Sequence, residues 1–77
     1  MPTTEETVGA LAHLQKRLGA SPSVGQIAEY LGVSTATAHR YLKRAVKQGI
    51  IDQREGQFMT KEISRGFDAL KVDSHKG

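Results

Sequence analysis

The sequence predicts a mostly α-helical domain that ends in a small β-hairpin, and three observations support this fold class. Apolar residues recur at helical spacing in three successive segments before Gly49. Each segment follows a Ser or Thr that can cap a helix, and glycines follow the helical segments. The pattern then changes into two short segments that flank Glu55-Gly56, a pair suited to a two-residue hairpin turn.

The first helix is predicted to begin near Thr3 or Thr4 and to end at Leu18. Thr3 and Glu6 have the spacing of a capping box, which satisfies free amide groups at a helix start. Gly19 is a natural stop because glycine readily adopts the left-handed conformation that ends helices. The predicted apolar side consists of Val8, Leu11, Leu14 and Leu18.

Two further helices are predicted to follow in close succession. Residues 24–31 form a short helix capped by Ser23, and residues 35–48 form a longer helix capped by Ser34. Gly32 lies in the tight turn between them, which is the plan of a helix-turn-helix. The inward residues of the shorter helix are expected to be Ile27, Ala28 and Leu31.

The predicted strands, residues 50–54 and 57–61, complete one domain over residues 3–61. We expect residues 62–77 to be a C-terminal extension that is helical at first and then a loose tail. The helix is indicated by the apolar residues Ile63, Phe67 and Leu70.

Composition narrows the range of functions. A chain of 77 residues holds one small core and leaves little room for an enclosed active site. The chain has no cysteine, which excludes disulfides and cysteine zinc sites and fits a cytoplasmic location. No apolar run approaches the roughly 18–20 residues that a membrane-spanning helix needs.

Metal, cofactor and catalytic sites are also not indicated. The three histidines, His13, His39 and His75, lie on separate segments without carboxylates at metal-ligand spacing. The sequence contains no glycine-rich phosphate loop and no nucleophile motif. We therefore expect a protein without enzymatic activity, metal or cofactor.

Positive charge is concentrated in one segment of the chain. The net charge of +3 and the pI of about 9.5 are only mild indications of nucleic-acid binding. No acidic residue occurs between Glu29 and Asp52, whereas four cations fall in that stretch. They are Arg40, Lys43, Arg44 and Lys47.

The third helix has two different sides. Its predicted core side consists of Ala38, Leu42, Ala45 and Val46, with Tyr41 at the edge. The opposite side consists of Thr37, Arg40, Arg44 and Lys47, flanked by Ala36 and Lys43. Small residues in the first turn allow close approach to DNA base edges, an arginine can bond guanine bidentately, and the later cations can meet phosphates. This arrangement favours duplex DNA over single strands, since the chain has few aromatic residues for base stacking.

The pattern resembles that of bacterial winged-helix regulators, including the LexA, MarR and ArsR groups, over SVGQIAEYLGVSTATAHRYLKR (residues 23–44). The resemblance rests on Ile27-Ala28, on the turn from Leu31 to Ser34, and on the apolar positions Ala38 and Leu42. The resemblance continues at the end of the helix, where a glycine is followed by two apolar residues that begin the hairpin. In these families the hairpin is known as the wing. With the hairpin the resemblance covers residues 22–61.

The resemblance implies which residues meet DNA. Base contacts are expected from Ser34, Thr35, Ala36, Thr37 and Arg40. Phosphate contacts are expected from Lys43, Arg44 and Lys47, to which we add Ser23 and Arg54. Arg54 lies at the wing tip beside Glu55, so contact with DNA and simple exposure to solvent both remain open for it.

We therefore expect a sequence-specific regulator of transcription that acts as a repressor and comes from a bacterium or a mobile element. A small module reads few base pairs, so two copies on a repeated site are expected. The predicted dimer surface combines the first helix with Ile63, Phe67 and Leu70. The main alternative is a protein-interaction module of a larger assembly, because fold does not fix function. Duplex RNA is disfavoured, because a recognition helix does not fit its narrow major groove.

Overall fold

The computed structural model describes residues 3–66, which form a helical layer followed by a hairpin. The helices are α1 (Thr4–Leu18), α2 (Val24–Leu31) and α3 (Thr35–Lys47). The strands β1 (Ile51–Arg54) and β2 (Gln57–Thr60) form a two-stranded antiparallel sheet. Residues 61–66 are helical as well, and we call this segment α4. The predicted fold class is confirmed. In the described part of the chain, no helix is long and apolar enough to cross a membrane.

Capping groups set the beginning of α1 where the sequence predicts it. The Thr3 hydroxyl accepts a hydrogen bond from the Glu6 amide at 3.1 Å, and the Glu6 carboxylate accepts one from the Thr3 amide at 3.4 Å. At the other end, Gly19 adopts a left-handed φ of 69°. The helix therefore begins and ends within one residue of the predicted bounds.

The helix-turn-helix is closed by the same chemistry. Ser23 and Gln26 form a second capping box, and the Ser34 hydroxyl accepts from the Thr37 amide at 3.1 Å. Gly32 is left-handed, with a φ of 71°, and the amide of the next residue, Val33, bonds back to a carbonyl of α2 at 3.0 Å. The chain thus satisfies its helix-end amides and carbonyls while it turns sharply from α2 into α3.

The core gathers one or more residues from every element between α1 and β2. Its fully buried large side chains are Leu11, Ile27, Leu42, Ile51 and Phe58. Each such side chain contributes about 1.5–3 kcal/mol relative to an exposed one. The core side of α3 is as predicted at Ala38, Leu42 and Ala45, and Val46 is half-buried at its border.

One apolar prediction needs correction. Leu18 is 48% exposed, because the last turn of α1 lines an open groove against α2 instead of lying beneath it. On α2, Ile27 and Ala28 are buried, and Leu31 is half-buried and packs against the core, so all three face inward as expected.

A buried amide side chain joins α1 to the end of the hairpin. Gln15 is only 6% exposed, and its Nε2 donates to the Thr60 hydroxyl at 3.0 Å. Its Oε1 accepts from the Thr60 backbone amide at 2.9 Å. Both polar atoms of the amide are therefore satisfied, which avoids the free-energy cost of burying them unpaired. The sequence pattern does not predict this contact.

The hairpin, residues 51–60, is the wing, and its turn has the two-residue form that the sequence predicts. Ile51 pairs with Thr60, and Arg54 pairs with Gln57 next to the turn. Glu55 and Gly56 both have positive φ, 52° and 80°. This is the backbone of a type I′ turn, which matches the twist of the strands but suits glycine, asparagine and aspartate better than glutamate.

The wing is fastened to α4 on one face. The Lys61 ammonium donates to the Asp52 carboxylate at 2.7 Å, and Arg54 Nε donates to the Ser64 hydroxyl at 3.0 Å. Ser64 is buried, and Ile63 is half-buried. The helix begins directly after β2, at residue 61. The domain boundary between residues 61 and 62 stays a prediction, and Phe67, Leu70 and the tail lie outside the described residues.

Replacing Glu55 by asparagine is expected to stabilise the domain. A left-handed backbone costs an ordinary L-residue roughly 1–2 kcal/mol, and asparagine tolerates it better. Glu55→Asn should raise the free energy of unfolding by about 0.5–1 kcal/mol, measured by urea denaturation. Glu55→Gln makes the same charge change without the backbone preference, so an equal gain from both variants would assign the effect to charge.

The Asp52 carboxylate is expected to make stability depend on pH in acid. Hydrogen bonds from Lys61 and from Ser64 lower the pKa of Asp52 below its ordinary value. The unfolded chain therefore binds more protons, so this contribution is fully present above the unfolded pKa and is lost as the pH falls through the folded pKa. Urea midpoints between pH 2 and pH 6 should decline less steeply for Asp52→Asn than for the wild type. Parallel declines in the two proteins would contradict this role.

Candidate nucleic-acid interface

The burial of one side of α3 turns its other side outward. Ala38, Leu42 and Ala45 are fully buried against the core. The residues between them are therefore presented to solvent along the length of the helix. The exposed residues of α3 and its cap include Ser34, Thr35, Ala36, Arg40, Lys43, Arg44 and Lys47. Thr37, also predicted to contact bases, is half-buried.

The first turn of α3 offers small side chains and a partly engaged hydroxyl pair. The Ser34 hydroxyl accepts from the Thr37 amide and donates to Thr37 Oγ1 at 2.9 Å. Thr35 and Ala36 are exposed beside this pair. This turn of the helix is narrow because its side chains are small. In addition, the amide dipoles at the start of a helix favour a negatively charged partner. The turn can therefore come close to an electronegative surface.

Cations follow along the same side in the later turns. Arg40 and Lys47 are exposed, and the Arg44 guanidinium lies over the Tyr41 ring, with its central carbon 5.3 Å from the ring centroid. This cation–π contact restrains Arg44 without neutralising its charge. Because no carboxylate lies between Glu29 and Asp52 in the sequence, α3 carries no acidic residue to offset these cations.

One of these cations also connects the helix to the wing. Lys43 Nζ donates to Gln53 Oε1 of β1 at 2.9 Å. His39 lies nearby in the sequence, and its ring meets Phe58 of β2 edge-on, with 5.8 Å between the centroids. The outer side of α3 and the wing are thus held together by two side-chain contacts. Strand alternation places Ile51 and Gln53 on the same face, and this was the signal from which the Lys43 contact could have been anticipated.

The predicted wing residue Arg54 is half-buried and has a partner inside the protein. Its Nε–H is bonded to Ser64 of α4, on the face of β1 that also carries Asp52. Glu55, Gly56 and Gln57 are exposed at the turn. Arg54 is therefore held next to the turn by a hydrogen bond within the protein. The two expectations from the sequence, contact with DNA and exposure to solvent, do not include this bond.

Ser23, the remaining predicted contact, lies at the start of α2 and on a different element. It is exposed, and its hydroxyl accepts from the Gln26 amide at 3.1 Å. A cleft of about 340 Å³ separates this helix start from the wing turn and is lined by Ser23, Gly56 and Gln57 among others. Eight of the ten predicted residues thus lie on α3 or its cap, whereas Ser23 is the cap of α2 and Arg54 lies on β1.

Metal-ligand clusters are absent from residues 3–66: no group of three or more histidine, cysteine, aspartate or glutamate side chains could hold an ion. His13 faces a different partner, the Tyr30 ring, with centroids 5.4 Å apart. His75 lies outside the described residues.

Comparison with known proteins agrees with this geometry. The model of the MarR family matches residues 2–57, which is more than half of the chain and includes α1, α2, α3 and the wing turn. No curated protein and no solved structure matches the chain. The resemblance to MarR regulators is thereby confirmed: the chain belongs to the MarR family of winged-helix, DNA-binding transcriptional regulators.

Proposed function

We propose that this domain is a sequence-specific repressor that lays α3 in the major groove of duplex DNA and rests the wing on the flanking backbone. The observation that carries the proposal is the acid-free, cationic outer side of α3, which faces solvent because the inner side is buried. An α-helix fits the major groove of B-DNA, where each base pair presents a distinct pattern of donors and acceptors.

In this arrangement α3 makes two kinds of contact with the duplex. The narrow first turn approaches the base edges through Ser34, Thr35, Ala36 and Thr37, and Arg40 bonds guanine bidentately. The backbone is met by Lys43, Arg44 and Lys47, with Ser23 at the start of α2 and Arg54 at the wing. Phosphate contacts fix the register of the protein on the duplex, and base contacts select the sequence. Repression by occupying a promoter needs only such a bound domain.

We further propose that two copies bind a repeated site. A single small module buries a limited interface, and paired half-sites multiply its specificity. Support comes from a cleft of about 450 Å³ between α1 and α4, lined by residues that include Ala12, Lys16 and Ile63. The first helix and the beginning of the C-terminal stripe therefore adjoin one another, as a shared dimer surface requires.

The alternative function, a protein-interaction module, would use a different surface. Leu18 and Tyr30 are 48% and 51% exposed along the groove between α1 and α2, which Arg17 and Glu29 also line. Binding there would not depend on the cations of α3. The two functions are therefore separable by substitution.

Binding to random-sequence duplex DNA is the first test, because the phosphate contribution needs no operator. Fluorescence anisotropy at low salt should show binding whose logarithm falls against the logarithm of salt with a slope of about −3 to −6. Arg40→Ala/Arg44→Ala should weaken binding and lessen the slope by up to about 2. A duplex RNA competitor should displace the labelled DNA poorly.

The matched control is Arg17→Ala/Arg65→Ala, which removes two exposed cations that lie outside α3, the wing and the cleft between α1 and α4. It makes the same change in net charge away from the proposed interface, so its effect should be clearly smaller. Equal losses in the two double variants would mean that the net charge alone attracts DNA. Absence of binding at low salt would turn attention to protein partners of the α1–α2 groove.

Once an operator has been selected, the two kinds of contact should separate. Arg40→Ala should cost about 1–3 kcal/mol at the operator and relax one base preference. Lys47→Ala should weaken operator and random DNA alike, since phosphates carry no sequence information. Equal effects of both substitutions on both kinds of DNA would refute this division of roles.

A further inference from the structure

Ser64 is a buried polar residue that is not among the DNA contacts proposed above. It is 1% exposed and lies on α4, after the end of the MarR-family match at residue 57. Its hydroxyl oxygen accepts a hydrogen bond from Arg54 Nε at 3.0 Å. A buried hydroxyl needs such a partner, and the guanidinium in turn gains a fixed anchor on a packed helix.

Asp52 and Lys61 make a second polar contact between the wing and α4. Asp52 and Arg54 lie two residues apart on β1 and so share one face of the wing. Lys61 holds the Asp52 carboxylate from the first turn of α4 at 2.7 Å. The pKa of Asp52 is lowered by the hydrogen bonds that the carboxylate receives, first from Lys61 and second from Ser64. The wing and α4 are therefore joined on this face by two contacts with measured geometry, the Asp52–Lys61 ion pair and the Arg54–Ser64 hydrogen bond.

A second set of contacts fixes the position of α4 relative to α1. Thr60, the residue before α4, is held on α1 by the two hydrogen bonds to Gln15. The Ser64 hydroxyl is thus attached to the helical layer and not only to the hairpin. A guanidinium bonded to it has a defined position relative to α3, which a side chain on an isolated two-stranded hairpin would lack.

We propose that Ser64 is a positioning residue for DNA binding, which holds the Arg54 guanidinium where it meets a phosphate beside the wing. The inference rests on the proposed function, because it gives Arg54 a role only when the wing lies on DNA. Ordering an arginine before binding removes much of the rotamer entropy that binding would otherwise cost. By this inference α4 belongs to the DNA-binding unit.

A double-mutant cycle on random duplex DNA tests the proposal. Arg54→Ala should weaken low-salt binding about threefold to tenfold and reduce the salt slope by about 1, as expected for one lost charge-assisted contact. Ser64→Ala should weaken binding about twofold to fivefold. In the Arg54→Ala protein, Ser64→Ala should have no further effect, because it acts through that guanidinium.

Two controls separate positioning from a general loss of structure. In a Lys47→Ala protein the effect of Ser64→Ala should persist in full, since Lys47 does not touch α4. Thr7→Ala removes another fully buried hydroxyl, one that donates to the Thr3 carbonyl at 2.9 Å on α1. It should lower the unfolding temperature without changing DNA affinity, measured where circular dichroism shows every variant folded.

A measurement without DNA complements the cycle. The Arg54 Nε–H resonance should be protected from exchange in the wild type and should lose that protection in Ser64→Ala. Where Ser64→Ala does not fold, Ser64→Cys takes its place in the same cycle. It keeps the size of the side chain but offers Arg54 Nε a weaker acceptor, so a loss of affinity that depends on Arg54 is expected again.

The contrary outcomes are distinct. An undiminished effect of Ser64→Ala in the Arg54→Ala protein would make Ser64 merely structural. An Arg54→Ala protein that binds like the wild type, while Arg40→Ala/Arg44→Ala still loses affinity, would overturn the positioning role and leave the proposed function intact. Failure of every protein in the set to bind DNA would instead overturn the proposed function itself, and the positioning role with it.

Discussion

The burial of Ala38, Leu42 and Ala45 is the interaction on which the rest of the structure depends. These side chains fix both the rotation and the depth of α3 in the core, where Leu42 meets the large apolar residues of the other elements. Leu42 has one small alanine on each side of it in the sequence, and these alanines let the helix approach its neighbours closely. The consequence is electrostatic as well as steric, because the same rotation sends every cation of α3 outward. The core and the candidate interface are therefore two results of one helix orientation.

Most of the fold follows from local chemistry and was predictable for that reason. The capping boxes at Thr3 and Ser23, the cap at Ser34 and the left-handed glycines act within a few residues of chain, so the helix bounds can be read from neighbours in sequence. The same holds for the two-residue turn, which sets the register of the wing. The cationic side of α3 was equally accessible, since helical periodicity alone separates it from the apolar side.

The predictions that failed or were missing concern contacts between segments far apart in sequence. Leu18 continues the apolar spacing of α1 yet is exposed, because the last turn of α1 lines an open groove beside α2. Gln15 has the polarity of a surface residue and is buried, since Thr60 supplies a partner from 45 positions away. The contact between Arg54 and Ser64 depends in the same way on where α4 lies. No pattern within a single segment encodes these distances, and the assignment of individual base and phosphate contacts remains a proposal for the same reason.

The bond pair between Gln15 and Thr60 also bears on how the chain folds. The contacts within the helix-turn-helix span short loops, whereas this pair closes a loop of 45 residues between the first helix and the end of the hairpin. Closing a longer loop costs more conformational entropy. Contacts across a long loop therefore form only after local contacts have already restricted the chain. On a ribosome, α1 to α3 would emerge and begin to associate before Thr60 is available. We therefore expect the three helices to form the early folding nucleus, and the wing to join it in the last step.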